Sequence, residues 1–232
     1  MRANKPTYRR TSNRTSNIKW PASWRTIGRG IVEWWDAWLD FEVITLVWFF
    51  AQITVVLGPP ATFGMYYVAN VMAREGEALG VKGMIQGARM YFWKAMLWGF
   101  INWLALFLGA VNLWFYYQSG TSWGLAAFFL VVSLVALWLI TQFYAVAFFM
   151  EQTNPSVFLA LRNGLFMALA SPFYTLMLMV VVVILLGLSA GFVIPIFLGS
   201  PALIAVLGTR ALFDRLIALG LKKPDIDPKE VA

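Results

Sequence analysis

Residues 55–68 read VVLGPPATFGMYYV, with Gly58, Pro59 and Pro60 set into an otherwise apolar run. The stretches on either side, 43–57 and 60–73, carry no Asp, Glu, Lys or Arg. Proline lacks the N–H that a helix interior needs, and its ring clashes with the preceding turn, so this tripeptide cannot sit inside a straight helix. It suits an end followed by a start, the glycine closing one helix and the prolines filling the first turn of the next. Two readings follow. Either 43–73 is a hairpin with its tip at Gly58–Pro60 and a short, re-entrant second arm, or it is one kinked span whose ends lie on opposite sides of a membrane.

The rest of the chain explains why a membrane enters the argument. The 232 residues are 60% hydrophobic and 12% charged, with 12 Trp and 19 Phe, about half the charge of a soluble domain. Charge is absent from 43–73, 95–150 and 163–209, and a crossing helix needs about 20 apolar residues. Each run therefore has room for one or two crossings. The composition predicts an all-α protein, a polytopic helical membrane bundle of five or six membrane segments, at about 43–57, 60–73, 95–117, 122–149, 172–192 and 194–213. The opening MRANKPTYRRTSNRTSNIKW has no apolar core of a secretory signal, which leaves insertion to the helices themselves. There is no Cys and no His, so disulfides, thiol nucleophiles, imidazole acid–base catalysis and the usual soft metal ligands are excluded. No phosphate-cradling GxxxxGK[ST] occurs. No cofactor, no metal and no nucleic-acid partner is expected.

Charge gives the orientation. Eight basic residues (Arg2, Lys5, Arg9, Arg10, Arg14, Lys19, Arg25, Arg29) precede the first acid, Glu33. Arg74, Lys82, Arg89 and Lys94 lie between the second and third segments, Arg162 follows the fourth, and the turns near 118–121 and 190–194 have none. By the positive-inside rule both termini face the cytoplasm if 43–73 enters and returns on one side, which is what the hairpin provides. Residues 1–30 read as a basic cytoplasmic tail without core-forming side chains, attracted to anionic lipid by about 1 kcal/mol per basic group near the surface. Residues 31–215 form the membrane domain, and 216–232 a short polar tail.

Three amphipathic stretches are expected along the surface. In 30–42, Ile31, Trp34, Trp35, Trp38 and Leu39 share one helical face and Glu33, Asp36 and Asp40 the other, as in an interfacial helix. Between the second and third segments, Met84, Ile85, Ala88, Tyr91 and Phe92 oppose Lys82, Gln86 and Arg89. In 154–172, Asn154 is placed to cap a helix with Pro155 at its first position. A surface helix followed by two crossings thus occurs twice, at 77–149 and 154–213.

Ionisable groups inside a membrane are the first place to look for function, and the three runs hold none. Neutral polar groups remain: Asn102, Asn112 and Gln142 are candidate solute contacts or helix–helix bonds. At the cytoplasmic boundary, Glu151 could accept from Arg89 or Arg162, and Arg210 could pair with Asp214 one turn on. Pro195 and Pro201 break the last segment, a feature of transporter sites or of packing.

Three stretches resemble the YesL-like bacterial membrane proteins: GPPATFGMYYVANVMAREGE (58–77), GARMYFWKAMLWGFINWLALFLGA (87–110) and FMEQTNPSVFLALRNGLFMALASPFYTLMLMVVVVIL (149–185). The resemblance covers about residues 34–215. It departs where Pro60 is inserted into the turn motif Gly58, Pro59, Ala61, Thr62, and in the longer basic tail. It implies a non-enzymatic protein of the bacterial inner membrane, without catalytic residues to carry over. Because such proteins are often encoded beside sugar-uptake ABC transporters, it also implies an accessory or regulatory role in carbohydrate transport, with an ABC transporter membrane subunit as partner. The alternative is a small solute or lipid transporter in its own right.

Overall fold

The computed structural model describes residues 22–76, 79–191 and 195–221, with backbone alone at 188–191 and 195–200. These residues form nine helices and no strand: α1 Ala22–Asp36, α2 Trp38–Ile53, α3 Gly58–Glu75, α4 Gly80–Met90, α5 Phe92–Gln118, α6 Ser122–Glu151, α7 Val157–Ala170, α8 Pro172–Gly191 and α9 Pro195–Ala218. Helix α1 begins eight residues before the expected interfacial helix, taking in part of the basic tail, and ends at Asp36 rather than running on to Glu42.

The decisive stretch is a reversal. Helix α2 stops at Ile53, Thr54 Oγ1 donates back to the Ala51 carbonyl at 2.7 Å and accepts from the Leu57 N–H at 3.2 Å, and α3 starts at Gly58 with prolines in its first turn. The two helices then lie side by side, Trp48 Nε1 donating to Thr62 Oγ1 at 2.9 Å and Gln52 Nε2 to the Gly58 carbonyl at 3.4 Å. A hairpin is formed, but its tip is 54–57. Gly58 opens α3 instead of closing α2, and the chain turns at Val55, whose φ is +60°. That region is costly for a β-branched side chain.

Helices α5 and α6 are long and apolar enough to cross a membrane. At 1.5 Å per residue they reach about 40 and 45 Å, against roughly 30 Å of hydrocarbon. Only their near ends join the core. Buried positions on α5 stop at Asn102, and on α6 they resume at Thr141 after Gly124 near its start. Between those points the two helices pack on each other, Gly109 letting Val135 approach closely, while Phe107, Trp114, Phe115, Phe129, Leu130 and Leu134 are exposed. The turn between them carries Gly120 at φ +63°, and Thr121 caps α6 by accepting from the Gly124 N–H at 3.0 Å.

Helix α7 packs closely on α6. Gly164, seven residues into α7, sits against the Thr141 carbonyl and the Ala145 backbone of α6, so α7 folds back antiparallel along the last turns of α6. Its N-cap is Ser156, not Asn154, and the Ser156 N–H donates to Gln152 Oε1 at 2.6 Å. The chain then bends by 104° into α8, so that α7 and α8 together have the composition of one broken span. Helix α9 is the hub. Ala202, Leu203, Ala205, Val206, Leu207, Ala211, Leu212 and Phe213 are buried, and α1, α2, α3, α6 and α8 surround it. Pro195 starts this helix and Pro201 lies within it, so neither breaks it.

Candidate functional site

Three polar groupings are built by this packing. The first joins α5 and α6 where they leave the core. Trp98 Nε1 donates to Gln142 Oε1 at 2.9 Å, Trp138 Nε1 to Asn102 Oδ1 at 3.1 Å, and Asn102 Nδ2 is shared between the Trp98 carbonyl at 2.9 Å and Gln142 Oε1 at 3.4 Å. Two of the predicted solute contacts are brought together, and their acceptors are used by indole donors from both helices. In an apolar setting such bonds hold helices together. Asn112 stands apart, exposed, and donates to the Leu108 carbonyl of its own helix at 2.7 Å.

The second grouping lies where α3, α6, α7 and α9 end. The Glu151 carboxylate accepts from Asn70 Nδ2 at 2.7 Å and from Arg74 Nε at 2.9 Å, with Arg74 Nη2 also at 2.9 Å. Among the described residues, these two partners both come from α3. Arg89 and Arg162 lie exposed on α4 and α7, and no contact joins either to Glu151. Sequence reasoning missed Asn70 and Arg74 as partners; their i, i+4 spacing on α3 was the available signal. Beside this pair an open cleft of about 640 Å3 is lined by Arg74, Glu151, Gln152 and Asn163 on the polar side and Phe148, Leu216 and Leu221 on the apolar side.

The third grouping ties α1 to α8 and α9. The Thr26 hydroxyl lies 2.7 Å from Tyr174 OH and 2.5 Å from Asp214 Oδ2, and Arg29 reaches Asp214 Oδ1 at 3.4 Å. The Arg215 guanidinium stacks on the Tyr174 ring at 3.7 Å, a cation–π contact. Arg210 forks onto both oxygens of Glu33. The i, i+4 pair Arg210–Asp214 expected within α9 is therefore replaced by two pairs across to α1. Burial pushes the Glu33 carboxyl above its ordinary value, and Arg210 opposes that shift without cancelling it.

Among the described residues no cluster of three or more acidic side chains converges as a metal site. Compared with protein families, with curated proteins and with solved structures, the chain matches none.

Proposed function

We propose that the chain is an integral protein of a bacterial inner membrane, with six membrane segments (α2, α3, α5, α6, α8 and α9) and both termini cytoplasmic, and that it acts without catalysis of its own as an accessory or regulatory partner of a transport system, of the YesL-like kind. One observation carries this reading: Trp98, Asn102, Trp138 and Gln142 bond one another across α5 and α6, while beyond them the α5–α6 hairpin stands clear of the core with apolar side chains on its outer faces. Such a hairpin has surface for lipid and for a neighbouring membrane subunit, and between residues 95 and 150 it carries no Asp, Glu, Lys or Arg. The test is photocrosslinking in native membranes from Phe107 and Phe129, followed by isolation in mild detergent. A transporter membrane subunit captured at one of these positions is expected; crosslinks to lipid alone at both would overturn the partner role.

The cleft beside Glu151 favours a second reading, a small solute or lipid transporter. Solute flux in liposomes that is lost on Asn163→Leu and kept on Gln142→Leu would support it over the first.

A further inference from the structure

Helix α1 has three faces, and only two are occupied. At 3.6 residues per turn, Ser23, Thr26, Ile27 and Gly30 form one stripe, buried against the protein. Arg25, Arg29, Glu33 and Asp36 form a second. Trp24, Gly28, Ile31, Val32 and Trp35 form the third, and all five are exposed, Trp35 by 66%. The arrangement is inverted relative to a water-soluble amphipathic helix, which turns its apolar stripe to the core. The helix cannot roll to hide it. Thr26 is held between Tyr174 and Asp214, and Glu33 is forked by Arg210, so the rotation is fixed by polar contacts to α8 and α9.

We propose that this third stripe is a membrane-docking surface, and that its occupant is a leaflet rich in anionic headgroups. Resting on the membrane reading above, the proposal adds which element lies in the interface and what chemistry holds it there. Three observations select this occupant. The stripe is centred on Trp24 and Trp35, and indole rings concentrate at the headgroup level. The charged stripe lies beside it on the same short helix, so one edge is immersed while the other stays wet. Eight Lys and Arg precede the first acid of the chain, two of them on α1 itself, which complements phosphate-bearing lipids. The surface also continues past Ala37 into exposed Trp38, Leu39 and Val43 of α2.

The chain contains no cysteine, so single spin labels read each face without background. Gly28→Cys is suited to the apolar stripe, because a Cβ there meets nothing within 4 Å. Asp36→Cys reports the charged stripe and Ser133→Cys the outer surface of α6. The full-length variants are reconstituted in phosphatidylcholine vesicles with and without phosphatidylglycerol, and accessibility to oxygen and to a water-soluble nickel chelate is measured. The oxygen-to-nickel ratio at Gly28 is expected to exceed that at Asp36 several-fold, to rise further with phosphatidylglycerol, and to lose that rise when Arg9, Arg10, Arg14 and Lys19 are changed to Gln. A ratio at Gly28 equal to that at Asp36, with Ser133 still lipid-exposed, overturns the proposal and leaves the membrane reading standing. Shielding of Gly28 from both reagents also overturns it, because a protein then covers the stripe. No response to phosphatidylglycerol overturns the anionic selectivity, and an aqueous Ser133 overturns the membrane reading itself.

Discussion

Replacing Gly64 by alanine tests the way α3 and α4 interlock. A Cβ on Gly64 would lie 2.2 Å from the Met84 carbonyl oxygen, and one on Gly87 would lie 2.6 Å from Tyr67 Cβ, so each helix presses a glycine gap against the other's bulk. Ordinary contact begins near 3.4 Å, and the obstacle at Gly64 is backbone, so the helices must part by about 1 Å instead of one side chain turning aside. Overpacking of this kind costs roughly 1–3 kcal/mol, and a rigid backbone obstacle puts Gly64→Ala at the upper end. For a chain of this size the loss corresponds to roughly 5–10 °C in Tm. Gly164→Ala, whose Cβ meets the α6 backbone at 2.9–3.1 Å, should fall by less. Gly28→Ala meets nothing and should gain up to about 1 kcal/mol from helix propensity. Thermal unfolding of the three variants in one detergent, followed by tryptophan fluorescence, gives the ranking. Equal Tm values for Gly64→Ala and Gly28→Ala would refute the close α3–α4 contact.

Two further outcomes follow from the polar groupings. Gln142→Leu removes the acceptor shared by Trp98 and Asn102 and should cost about 1 kcal/mol, the scale of one interhelical bond in a membrane; unaltered stability in the same unfolding assay would contradict the structural role. The raised pKa of Glu33 means that the folded state holds its proton more tightly than the unfolded one, so this group's contribution to stability is complete below the ordinary value of 4.5 and declines as pH rises through the folded pKa. Tm measured from pH 4.5 upward should therefore fall for the parent relative to Glu33→Gln, and a parent curve that climbs relative to the variant would reverse the sign.

The charge-free runs and the Gly58-Pro59-Pro60 signal located α2, α3, α5 and α6 to within a few residues, because long apolar stretches and proline positions are properties of the local chain. The turn residue was misplaced for a physical reason. Proline marks where a helix can start, whereas the reversal is carried by Val55 in a conformation that its own side chain disfavours. Partner choice was not legible either. Glu151 had Arg89 and Arg162 within plausible reach along the sequence, but α3 crosses α6 so as to deliver Asn70 and Arg74. Arg210 had Asp214 one turn away, yet α1 supplies Glu33 and Arg29 to the two ends of that spacing. The stretch 154–172 was legible as a helix, but not that its small and buried positions, Ala160, Gly164 and Ala168 among them, fold it back along α6 while Phe158, Phe166 and Leu169 stay exposed. Ile31, Trp34 and Trp35 were expected on one face, but the structure divides them: Ile31 and Trp35 are turned outward, while Trp34 is half-buried against the core on the side of Thr26 and Gly30.

The central claim is that the α5–α6 hairpin crosses a membrane, with its turn on one side and the Glu151 end on the other. Cysteines placed singly at Ser119, in the turn, and at Thr153, in the exposed loop between α6 and α7, can be labelled in intact spheroplasts with a membrane-impermeant maleimide. The account predicts that Ser119 reacts at once and Thr153 only after the membrane is opened. Equal labelling of both sites before opening would place the two ends on the same side and contradict it.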